Sequence, residues 1–131
     1  MKIIISENRI ESAIYKYIDD YYDADRILEE SMRNMDMSKK DCGIEYIKAE
    51  DDYYYDHTVF KLYFKDYWIY PDDPKIELSP LLLFDNEEEY DNLNLMFGNR
   101  WKPVFKRWFK DKFNEDIKTI EKISLYWNKF D

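Results

Sequence analysis

At 131 residues, with a net charge of -9, 45% hydrophobic and 37% charged residues, two glycines and four prolines, the chain has the size of one domain, and its composition excludes a disordered polymer. Cys42 is the only cysteine, which excludes an intramolecular disulfide and a multi-cysteine metal site, and no apolar run approaches the ~18 residues of a membrane span. The expectation is a single cytoplasmic domain over residues 1–131 without membrane contact, because the apolar run Met1 to Ile5 is too short for a signal peptide and is ended by Ser6, Glu7 and Asn8.

Lys2 to Ile5 reads as a short buried strand. Ser6 then stands where an N-cap hydroxyl satisfies the first free amides of a helix, with Glu7 favourable in its first turn. Ile10, Ile14, Tyr17, Ile18 and Tyr21 recur at helical spacing opposite Glu11 and Lys16, and the helix is expected to fray near Asp19 or Asp20. A second helical period runs from Asp23 to Met37 through Ala24, Ile27, Leu28, Met32 and Met35, with Asp23 or Asp25 as its cap. Asp41, Cys42 and Gly43 punctuate the chain before two β-rich runs, Ile44 to Lys48 and Thr58 to Tyr70. In the second run Phe60, Leu62 and Phe64 alternate with Lys61, Tyr63 and Lys65, as one buried and one wet strand face require.

Pro71 to Pro74 encloses two aspartates in a turn, and Ile76 to Phe84 reads as a strand interrupted by Pro80, which assigns it to a sheet edge. Asp85 or Asn86 caps the next helix, whose first turn holds Glu87, Glu88 and Glu89, whose apolar face is Tyr90, Leu93 and Phe97, and whose stop is Gly98. Pro103 suits the first turn of a further helix. There Trp101, Phe105, Trp108, Phe109 and Phe113 form an apolar stripe flanked by Lys102, Lys106, Arg107, Lys110 and Lys112. The stripe reads as core, with the flanking cations pairing with the acidic body, rather than as a nucleic-acid or membrane contact. Asn114 to Asp116 reads as a break and Ile117 to Trp127 as a last strand. The elements predict an α+β fold: a mainly antiparallel sheet with the helices packed on one face.

The opening Ile3-Ile4-Ile5-Ser6-Glu7, followed by Ile10 and Ile14, resembles the start of many small phage-encoded proteins, in which an aliphatic run is followed by Ser or Thr, Glu and a helix. The resemblance covers about a tenth of the chain and amounts to a capped helix start. It implies a virus or its host as origin and no site residue.

Charge is unevenly placed. Met1 to Gly98 carries 11 Lys plus Arg against 24 Asp plus Glu, whereas Asn99 to Asp131 carries 9 against 5. An acidic body disfavours direct contact with a phosphate backbone and favours a basic protein partner through long-range steering. The 13 tyrosines, 8 phenylalanines and 4 tryptophans make 19% of the chain, more than one modest core needs. Tyrosine joins an apolar ring to a polar tip, so the surplus supports two readings: an interaction surface, or tyrosine standing in for phenylalanine at the core boundary.

No Gly-rich phosphate loop, nucleophile elbow or His-Glu-x-x-His pair is present. The single histidine, His57, could act as a general base oriented by Asp56, but no nucleophile motif accompanies it and a solvated turn histidine is the simpler reading. Cys42 reads as a small buried residue. Asp19, Asp20, Asp23 and Asp25 lack the glycine and terminal Glu of a calcium loop, so no metal and no cofactor is expected.

Two acidic, aromatic clusters are candidate binding surfaces: Asp19 to Asp25, with Asp19, Asp20, Tyr21 and Tyr22 as its site residues, and Glu50 to Asp56 with Tyr53, Tyr54 and Tyr55, of which Asp51, Asp52, Tyr53, Tyr55 and Asp56 are the site residues. Carboxylates attract basic surfaces while neighbouring tyrosines supply rigid contact area. The function expected is a non-enzymatic acidic protein-binding domain, a phage-type or immunity-type modulator of a basic, nucleic-acid-handling partner. A structural virion or assembly component is the alternative, and a small enzyme using His57 or paired carboxylates comes third.

Overall fold

The computed structural model describes residues 7–34, 42–49, 56–64 and 80–124. They form α1 (Glu7–Tyr21), α2 (Ala24–Asn34), β1 (Cys42–Ala49), β2 (Asp56–Tyr63), β3 (Leu81–Phe84), α3 (Glu87–Phe97), a 3-10 turn at Gly98–Arg100, α4 (Trp101–Phe113) and β4 (Thr119–Lys122). The readings placed at Lys2 to Ser6, Met35 to Asp41, Lys65 to Pro74 and Ile76 to Ser79, and beyond Ser124, lie outside the described residues.

The strands form one sheet in the order β1-β2-β3-β4. The first two pairings are antiparallel and β3–β4 is parallel, so the fold is α+β with a mostly antiparallel sheet, as the sequence predicts. Parallel neighbours need a long crossover. α3 and α4 provide it, and they pack on the same face of the sheet as α1 and α2. One core results, in which Phe60, Leu62, Leu82, Phe84 and Ile120 of the sheet meet Ile14, Ile18, Tyr22, Leu93, Trp101, Phe105, Trp108 and Phe109 of the helices. The rings meet mostly edge to face, Phe105 touching Tyr22, Phe60, Phe84 and Trp101 at centroid separations of 5.9, 5.7, 5.7 and 5.8 Å.

Several local expectations are met for the reasons that raised them. Asn86 Oδ1 accepts from the Glu89 amide at 3.3 Å, and Gly98 ends α3 at φ 61°, a conformation that favours glycine. Asp23 Oδ1 accepts from the Arg26 amide at 3.2 Å and so caps α2. The stripe of α4 is entirely buried, and its flanking cations meet acidic residues of α1: Arg107 Nη1 lies 3.6 Å from Glu11 Oε2 and Lys112 Nζ 3.1 Å from Asp19 Oδ1.

Four expectations need correction. α1 does not fray at Asp19 but runs to Tyr21, because Asp19 accepts a hydrogen bond from Trp108 Nε1 at 3.0 Å and Tyr22 N–H still reaches Ile18 O at 2.9 Å. Its core stripe is Ile14, Ile18 and Tyr22, rotated from the expected face so that Ile10 and Tyr21 reach solvent. Cys42 and Gly43 are not punctuation but part of β1, where a Cβ on Gly43 would come within 2.8 Å of the Phe64 ring. The strand after Pro80 is not at an edge. Pro80 stands immediately before β3, so its missing N–H removes no ladder bond, while its carbonyl accepts from Lys118 N and Thr119 N at 2.8 and 3.2 Å and seats β4 alongside.

Among the described strands β1 is outermost, and α2 lies along it. Ser31 Oγ accepts from the Glu45 amide and donates to the Glu45 carbonyl, both at 3.0 Å, closing one unit of the strand's outward-facing backbone. Ser31→Ala is therefore expected to cost ~1–3 kcal/mol, since it leaves a partly buried amide and carbonyl without that hydroxyl. Urea denaturation measures the loss, and a midpoint equal to that of the wild type would show that water replaces the hydroxyl at no cost.

Candidate functional site

The first acidic, aromatic cluster spans the end of α1 and the start of α2, and its members face different ways. Tyr22 is 1% exposed and packs against Tyr46, Phe60, Phe105 and Trp108, so it belongs to the core. Asp19 faces α4, where Trp108 and then Lys112 hold its carboxyl below the usual range. Asp20, Asp23 and Asp25 are exposed. Tyr21 is 47% exposed and faces α3.

Tyr21 is held in place although it reaches solvent. Its hydroxyl donates to Glu89 Oε1 at 2.7 Å, its ring lies 5.7 Å from that of Tyr17 at an interplanar angle of 9°, and the Tyr22 ring meets it edge to face at 4.8 Å. The hydrogen bond to Glu89, then burial, pushes the Tyr21 hydroxyl pKa up. Burial and then the charge of Glu89 do the same to Tyr22 and Tyr46. One carboxylate thus raises the pKa of three tyrosine hydroxyls.

Between α1 and α3 a cleft is lined by Tyr17, Tyr21, Tyr22, Glu89, Asn92, Leu93 and Met96. Its open space of about 220 Å³ includes solvent at the mouth, and the enclosed part has room for about one water molecule, far less than a pocket that encloses a small molecule. Glu89 is 7% exposed at its base, while Met96 at 47% and Leu95 at 87% leave apolar surface beside its mouth. Glu88, Asn92 and Met96 follow one another at i, i+4 and i+8 along α3, which sets the exposed Glu88 in line with the cleft wall. Asp20, which precedes Tyr21 on α1, is exposed and is not among the residues that line the cleft.

The sequence reading assigned Glu89 to helix-start electrostatics and did not single out Met96. A signal existed: Glu89, Leu93 and Met96 share the i, i+4, i+7 spacing of one helix face. Of the second cluster, Asp51, Asp52, Tyr53 and Tyr55 lie outside the described residues, and Asp56 is described only through its backbone, which opens β2 opposite Ala49. His57 pairs with Lys48 in the same ladder, and Cys42 with Tyr63. Among the described residues no three His, Cys, Asp or Glu side chains are grouped to hold a metal ion, and no helix is long and apolar enough to cross a membrane. No protein-family model, curated protein or solved structure matches the chain.

Proposed function

We propose that this domain is a non-enzymatic acidic binding module that docks on a basic, nucleic-acid-handling protein and modulates it, in the manner of a phage-encoded or immunity-type protein. The observation that carries the reading is Tyr21: an aromatic ring half in solvent, held by a hydrogen bond to Glu89 and two ring contacts, at the end of a helix that also exposes Asp20. A ring fixed before binding loses little conformational freedom on contact, the property of residues that dominate interface energy. The cations of α4 add support from the other direction. Arg107 and Lys112 face carboxylates of α1, Lys110 lies 3.4 Å from Asp116, and Lys106 donates to the Lys118 carbonyl at 2.7 Å, so the basic helix is engaged within the fold.

The test is capture from lysate along a salt series, with the retained proteins identified by mass spectrometry. Wild-type protein should retain basic proteins at ~0.1 M salt and release them toward ~1 M, as the Debye length shortens from ~10 to ~3 Å. Asp20→Lys should weaken capture, as should the pair Asp51→Lys and Asp52→Lys in the second cluster. Asp20→Lys should leave the unfolding midpoint close to wild type, because exposed charges contribute little to stability. Capture that survives both charge reversal and high salt sinks the electrostatic reading and moves the structural-component alternative ahead.

A further inference from the structure

We draw no further inference here: the strongest candidate, the apolar surface patch that Leu95 and Met96 of α3 expose at the cleft with α1, carries nothing because nothing in the structure shows what covers it.

Discussion

Trp108→Ala should lower the unfolding free energy by ~3–5 kcal/mol, the usual loss for deleting a large buried aromatic side chain. Trp108 is fully buried and packs against Tyr22, Phe105, Phe109 and Phe113 at centroid separations of 5.9, 5.3, 6.4 and 5.5 Å. Its indole N–H is also the donor that ties Asp19 of α1 to α4. Truncation therefore opens a cavity where four rings meet and removes a link between two helices. Domains of this kind have ~5–15 kcal/mol of stability, so the loss is a large fraction of the total and should appear as a fall of ~10–20 °C in midpoint. Trp108→Phe retains a six-membered ring while deleting the donor and the rest of the indole, so it leaves a smaller cavity and should cost clearly less. Thermal denaturation followed by circular dichroism decides the matter. A midpoint unchanged in Trp108→Ala would place the residue outside the core and return the α4 stripe to the list of binding surfaces.

Alkaline pH should unfold the protein from pH ~10 upward, and the cause lies in the same aromatic core. Tyr22 has its pKa raised above the ordinary value of 10.0, by burial first and by the Glu89 charge second. A group whose folded pKa lies above its unfolded value contributes stability that is fully present below the unfolded pKa and is lost as pH rises toward the folded one. For one buried tyrosine the loss approaches ~1.4 kcal/mol per pH unit above 10. Tyr15, pushed up to about 12 by burial and by its hydrogen bond to Asp111, and Tyr21 and Tyr46 act in the same direction. Their greater exposure makes each of these contributions smaller. Tyrosinate absorbance recorded together with circular dichroism should show a first group of tyrosines ionising near pH 10 with the fold intact. The Tyr22 signal should then appear in step with unfolding. Thirteen tyrosines titrating together near pH 10 in a protein that stays folded would contradict the placement of Tyr22 beneath the helices.

The two ends of the chain's acidic character have different physical origins. Asp19 is a structural acceptor, Asp23 is a helix cap, and Glu89 is buried under a tyrosine, so a carboxylate's proximity in sequence to its neighbours says little about its task. Asp20 and Glu88, by contrast, remain exposed.

Caps, breaks and periodicity were legible in the chain because they depend on residues only a few positions apart. Asn86 and Gly98 bound α3, Asp23 starts α2, the α4 stripe is buried, and Phe60 and Leu62 alternate into the core. These features already imply an α+β domain with helices over a sheet. The direction of α1 could not be read in the same way, since Tyr17, Ile18, Tyr21 and Tyr22 wrap much of its circumference and tyrosine suits either side of a core boundary. That choice was made by α4 and α3, through Asp19 with Trp108, 89 positions away, and Tyr21 with Glu89, 68 positions away. The central place of β3 and the parallel seating of β4 have the same origin: a strand's own alternation records which face is apolar but not which strand lies beside it. Sequence alone therefore determined the local elements and the side of α4 that is buried. Only the tertiary structure decided which tyrosine reaches solvent and which carboxylate accepts its hydroxyl, because those contacts join segments whose spacing carries no common period.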